Sequence, residues 1–314
     1  MRIGLMFEGQ EGVTWEQWVS LAHACEEHGI EALFRSDHYN GLMGDETRDA
    51  TDAWAVISAL AAVTSRLRLG TLVSPVTFRH PAVLAKMAAT ADQVSGGRVE
   101  LGMGAGWNER EHAAYGFAFP DTATRFELLS EQVEIARRLL STEETVTFTG
   151  AHYQLDGVRP LPRPVQSPLP IVMGGQAGPK AAALAASFAD EYNSIGAGPD
   201  DLPDRLARLD RACEEVGRDP ATLTRSMMTV CLVGETEDEV LTRTRAMMAK
   251  AGADGEPEAV LEQRAGRWVA GTVDQVREQL DRLEAIGIER IMLQHLVHED
   301  LEMVALIGHE LVTT

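Results

Sequence analysis

The apolar run Ala32–Leu33–Phe34 passes directly into Arg35–Ser36–Asp37–His38, which sets a carboxylate beside an imidazole at what reads as a strand end. Charge crowded onto a strand terminus is costly to bury without partners. An imidazole next to an acid also suits proton transfer near neutral pH. The competing reading is local: Asp37 caps the next segment and His38 points at water.

Three further segments carry similar potential. Leu72–Val73–Ser74–Pro75 takes a strand into small and imino residues, which can offer backbone amides to a planar ligand or simply open a loop. In Gly102–Met103–Gly104–Ala105–Gly106–Trp107 the alternate glycines strip one strand face of side chains. A flat ring could then lie against backbone, although tight packing at a strand end explains the same pattern. Met173–Gly174–Gly175 precedes a helical stretch containing Lys180, and free N–H groups at a helix start suit a phosphate. Asn193 and Ser194, at the next strand end, add side-chain donors. His295 and His298 lack a carboxylate–histidine set with metal-ligand spacing, so no metal is expected. Glu109, Arg110, Glu111 and His112 read as capping or solvated residues, and the pairs Met227–Met228 and Met247–Met248 as core filler.

The whole composition narrows the partners. With 28 Lys plus Arg against 48 Asp plus Glu, the formal net charge of −20 argues against nucleic acid or an anionic membrane. Lys86, Lys180 and Lys250 are the only lysines. Cys25, Cys213 and Cys231 are widely spaced and odd in number, which predicts reduced structural thiols and a cytoplasmic protein. Residues 1–7 are too short for a signal peptide, and no apolar run reaches membrane-spanning length.

The elements that must position these residues alternate along the chain. Strand-like runs at 3–7, 32–34, 67–73, 99–103, 171–173, 191–195, 226–233 and 288–293 are each followed by a helix-periodic segment. Eight such pairs, with nearly continuous apolar strands, predict a (β/α)8 TIM barrel formed by residues 1–314 as a single domain. An open doubly wound sheet is the rival, but the first strand leads into Glu8–Gly9–Gln10–Glu11–Gly12, which has no phosphate-binding fingerprint. Two insertions interrupt the alternation, after strand 4 (about 143–169, proline-rich) and near strand 8 (about 252–271).

Taken in order, FRSDHY, LGTLVSPVTFRHPAVLAK, GGRVELGMGAGWNEREHAAYG and PIVMGG resemble the luciferase-like monooxygenase superfamily. Within it the chain looks most like the oxidoreductases dependent on the deazaflavin coenzyme F420. The resemblance is specific from the first strand to about Ile195 and looser beyond. It implies a (β/α)8 barrel and hydride transfer between F420 and a small organic substrate. It also implies that Asp37 and His38 flank the reactive ring, with His38 handling a proton. Leu72–Val73 would form a bulge, often a non-prolyl cis peptide, that backs the ring with Ser74. Ala105–Gly106–Trp107 would lie along its edge, and Met173, Gly174, Gly175 and Asn193 or Ser194 would hold the cofactor phosphate.

Departures from the family pattern restrict the substrate. Sugar-phosphate dehydrogenases of this branch carry a tryptophan after the Asp–His pair and a glutamate after the glycine cluster, where this chain has Leu42 and Trp107. Their substrate-phosphate lysines have no match. Arg35, Arg79, Arg110, Arg159 and Arg163 are available to offset the acidic tail of F420. The resemblance leaves open an FMN-dependent two-component monooxygenase, with a reductase supplying reduced flavin or F420 as a partner. A flavin-binding barrel without turnover, or a lyase or isomerase of a phosphate ester, are further alternatives. Relatives of this type are mostly homodimers.

Overall fold

In the computed structural model, which describes residues 1–45, 47–141 and 143–312, eight strands close into a barrel. They are β1 Arg2–Phe7, β2 Ala32–Arg35, β3 Arg68–Thr71, β4 Val99–Gly104, β5 Ile171–Gly175, β6 Glu191–Ile195, β7 Thr224–Gly234 and β8 Arg290–Gln294. Each pairs in parallel with the next, and β8 returns to β1 with Arg2 opposite Arg290 and Met6 opposite Gln294. The expected (β/α)8 architecture is therefore present, with helices between successive strands. The expected strand 67–73 differs in one respect. It stops at Thr71, the Leu72–Val73 peptide is cis, and Ser74–Pro75 pairs separately with the end of β4.

Local chemistry explains the helices. Thr14 and Gln17 form a reciprocal capping box at the start of Trp15–Glu27, whose Trp18, Leu21, Ala22 and Cys25 are buried on one face. Pro81 opens Pro81–Ser95, and Gly96 closes it in the left-handed conformation. The first insertion is an antiparallel hairpin, Val146–Thr149 with Gln154–Val158, followed by proline-rich chain with cis peptides at Pro162 and Pro168. The second holds a helix, Pro257–Arg264, and a strand, Val269–Thr272, that extends the sheet beside β7.

Because strand side chains alternate between faces, two apolar layers result. Phe7, Leu33, Leu101, Met173 and Tyr192 pack between barrel and helices. Met6, Ala32, Phe34, Leu72, Val172 and Met292 fill the lumen. Below them the buried Arg290 guanidinium meets Glu100 at 2.7 Å, Glu191 at 3.1 Å and Glu31 at 3.0 Å. The Glu31 contact is Coulombic, without hydrogen-bond alignment. Arg68 also pairs with Glu100, and Arg290 stacks 5.2 Å from the Phe34 ring centroid. This charged floor closes the lumen at the N-terminal ends of the strands and leaves the C-terminal ends as the accessible mouth.

Candidate active site

At that mouth the Asp37–His38 pair separates into two different environments. Asp37 is buried, accepting from Ser74 Oγ at 2.7 Å and from Arg79 at 2.5 Å. Ser74 in turn accepts from Trp54 Nε1 at 3.0 Å, and Arg79 extends to Asp52 at 2.8 Å. Asp37 thus anchors the chain after β3 to the end of β2. Its carboxylate is already committed.

His38 faces a different acid. Its Nδ1 lies 2.8 Å from Glu111 Oε2, and Glu111 also accepts from the Tyr39 backbone N–H. Glu111 is itself buried. Burial alone would lower the His38 pKa, but the hydrogen bond and charge of Glu111, with Glu8 and Asp37 adding, carry it above its ordinary value. Burial would raise that of Glu111, and the His38 contact together with the Tyr39 and Asn40 N–H groups pulls it down. With Nδ1 committed to Glu111, Nε2 is the nitrogen left to hold or release a proton.

The expectation that Glu111 and His112 merely cap or solvate their segment is overturned. Asn108 caps the helix Glu109–Tyr115, accepting from Glu111 N–H, while both side chains turn inward. His112 lies against Thr77 Oγ1 and, through Nδ1, 2.6 Å from the Asn108 carbonyl. Asn108-x-x-Glu111 has capping-box spacing, a sufficient local explanation that conceals the contact made 73 residues away. Replacing Glu111 by Gln is expected to move the His38 pKa from above to below its ordinary 6.5, since burial remains and the countercharge goes. A raised His pKa stabilises the fold fully below 6.5 and loses that contribution as pH rises through the folded value. In the variant this acid-side stabilisation should vanish, as read by imidazole NMR titration and by melting at several pH values.

For the glycine wall the structure shows the second of the two readings, tight packing at the strand ends. A Cβ on Gly102 would lie 1.8 Å from the Thr71 carbonyl oxygen, and one on Gly104 or Gly174 would lie 2.5 or 3.1 Å from Val73 methyl groups. Gly102 thus admits the neighbouring backbone, and Gly104 and Gly174 admit the Val73 side chain over the lumen, so the space beside them is already filled. Gly106, at φ +77°, turns the chain past Pro75. Ala105 and Gly106 are half-buried there, and Trp107 is 67% exposed, its ring 5.6 Å from that of His38 at 75°.

At β5 and β6 strand parity sorts the expected phosphate residues. Met173 points into the outer core, away from the mouth. Asn193 and Ser194 face opposite ways. Asn193 follows Glu191 into the lumen and donates to Ser226 Oγ at 2.8 Å, whereas Ser194 shares the outer face with Tyr192. Gly174 and Gly175 are half-buried at the mouth and begin the turn to the helix Pro179–Phe188. Tyr192 Oη accepts from Ala177 N–H at 2.7 Å and Arg208 donates to the Ala177 carbonyl at 2.7 Å. The helix cap, Gly178, makes no side-chain bond, and a Cβ there would meet open space. Uncapped first-turn amides beside exposed Lys180 fit an anionic group such as a phosphate. Of the arginines offered for an acidic tail, Arg35 is bound to Thr51 under Trp18, Arg79 to Asp37 and Asp52, and Arg163 to Glu143.

A profile of the luciferase-like monooxygenase family matches residues 1–290. The chain is 31% identical over 314 aligned residues to an F420-dependent glucose-6-phosphate dehydrogenase of Nakamurella multipartita, covering 93% of this chain and 90% of that protein. It is also 31% identical over 243 residues to pyrimidine monooxygenase RutA of Yersinia enterocolitica, covering 76% of this chain. It spans only 64% of that relative's length. Among solved structures, an F420-dependent secondary alcohol dehydrogenase superposes with a TM-score of 0.81 at 22% identity, over 99% of this chain and 98% of that one. Monooxygenase RslO1 from Streptomyces bottropensis does so with a TM-score of 0.83 at 23% identity, over the same 99% and 98%. Fold and site thus define a TIM barrel with an acid-paired histidine at its C-terminal mouth. The chain belongs to the luciferase-like monooxygenase family.

Proposed function

We propose that this protein is an F420-dependent oxidoreductase in which hydride passes between the cofactor and a small organic substrate, and His38 handles the accompanying proton. The observation that carries this reading is the His38–Glu111 pair at the barrel mouth. It holds one imidazole nitrogen and leaves the other for the substrate. The F420-dependent relative that aligns along nearly the whole chain favours the deazaflavin. Bound F420 would supply a ring carbon able to accept or release hydride. The residues that would hold it are Leu72 and Val73 behind the ring, and Gly174, Gly175 and the helix start at Gly178 around the phosphate. Asp37 would act through Ser74 and Arg79, by fixing the Val73 segment.

The RutA relatives support a second reading, an FMN-dependent monooxygenase supplied with reduced flavin by a separate reductase. Both cofactors carry a phosphate, so the anion site fits either. Titrating oxidised F420 and FMN separately, with the fluorescence of each as readout, distinguishes them. F420 is expected to bind at least about tenfold tighter, a difference of about 1.4 kcal/mol. Tighter binding of FMN would replace the first reading by the second.

A further inference from the structure

The chain has 8 Phe, 5 Trp and 4 Tyr, and five of these rings, Tyr39, Phe78, Tyr115, Phe117 and, through His112, Phe119, cluster on one side of His38. Tyr39 lies 4.9 Å from Phe78 and 5.1 Å from Tyr115 by ring centroids, and Tyr115 stacks on Phe117 with their planes 10° apart. The Tyr115 hydroxyl also donates to the Tyr39 carbonyl at 3.1 Å. His38 borders it through Tyr39, its neighbour in sequence, and touches Trp107 on its other side. Trp107 leaves most of its ring to solvent directly beside the half-buried His38 imidazole, a large apolar surface that no other side chain covers among the described residues.

Charge around this wall points the same way. Glu8, at the end of β1, accepts from the side-chain amides of Gln10 at 2.7 Å and Gln294, and no cation pairs with it among the described residues. Arg79, the guanidinium nearest Tyr39, is spent on Asp37 and Asp52. An anion docking on the Tyr39 side would therefore find that guanidinium already paired and the Glu8 carboxylate close to His38.

We infer that Trp107 is the substrate-facing wall of the site, and that the substrate is a flat, uncharged, conjugated molecule stacked on it rather than a phosphorylated or carboxylated one. This rests on the oxidoreductase reading above, and it assigns to substrate a ring that family resemblance would place along the cofactor edge. It also accounts for apolar Leu42 and Trp107 standing where sugar-phosphate enzymes of the branch carry a different pair.

The probes are 2-methyl-1,4-naphthoquinone and, as an anionic counterpart, glucose 6-phosphate, each offered by equilibrium dialysis to the protein with and without F420. The wild-type protein is expected to retain the quinone and not the sugar phosphate. Trp107→Ala should weaken quinone retention at least about tenfold, and Trp107→Phe should stay within about threefold, because stacking survives in a smaller ring. F420 fluorescence quenching should have the same midpoint in all three proteins. Unchanged quinone retention in Trp107→Ala, or retention of glucose 6-phosphate in preference to the quinone, would overturn the inference. So would a Trp107→Ala protein that loses F420 affinity, which would make the ring a cofactor contact. If F420 fails to bind the wild-type protein, the cofactor reading falls, and the quinone arm without F420 still decides the role of Trp107.

Discussion

Replacing His38 by Ala is expected to leave F420 bound while slowing turnover about 10²–10⁴-fold, the usual contribution of a positioned acid or base. The assay follows oxidation of reduced F420 by 2-methyl-1,4-naphthoquinone, and the fluorescence of the oxidised cofactor reports binding separately. The size of the effect follows from geometry. Glu111 holds Nδ1 and leaves Nε2 free for the proton, while Ser74 and Arg79 engage the neighbouring Asp37 through Oδ2. The pH profile carries a second signature. The raised His38 pKa keeps the imidazolium populated to higher pH than a free histidine, so the limb governed by His38 should lie above 6.5 in the wild type and shift to lower pH in Glu111→Gln. A His38→Ala enzyme that keeps full turnover with F420 bound would remove this residue from the mechanism.

The second large effect concerns stability and lies at the other end of the barrel. Arg290→Leu is expected to destabilise the fold by about 3–5 kcal/mol, because it strands buried acids that the guanidinium now neutralises. Glu100 is the most exposed to this loss in energetic terms. Burial would raise its pKa, yet Arg290 and Arg68 hold it well below the ordinary carboxylate range. Glu191 moves the other way, pushed up by burial and by the charge of Glu100 despite Arg290. A depressed carboxylate stabilises the fold above its unfolded value of about 4.5 and loses that contribution as pH falls through the folded value. The gap between wild type and Arg290→Leu should therefore be widest at neutral pH and narrow on acidification. Urea unfolding at pH 7 and pH 4 tests this, and an equal gap at both would show that lost packing on Phe34, rather than stranded charge, dominates.

Much of this architecture is legible in the amino-acid sequence. Trp18, Leu21, Ala22 and Cys25 fall on one helical face because the period of an α-helix is local, and the capping residue Thr14 stands beside its own helix. Apolar runs alternating with such helices have few ways to bury both faces, so the barrel follows from pattern. The position of His38 at a strand end was equally visible. Its partner was not, since Glu111 sits on a different β/α unit and a capping box explains it adequately from nearby residues alone. Gly102, Gly104 and Gly174 were legible as special positions, but what needed the room was hidden. It is the Thr71 carbonyl beside Gly102 and the Val73 side chain beside Gly104 and Gly174, both placed by the break between β3 and Ser74–Pro75 that no periodicity records.

Asn193 and Ser194 show the same division on a smaller scale. Adjacent polar residues at a strand end read alike in sequence, yet pleating sends one into the lumen and the other outward, and a shift of one residue would exchange them. Short-range pattern in the chain is therefore enough for the barrel, its helices, the strand end that bears the histidine and the family. Folding is needed to show which acid serves His38, what fills the space beside the glycines, and that Trp107 stands exposed beside the imidazole. Each of these depends on contacts between different β/α units, whose geometry is set only when the eight strands close.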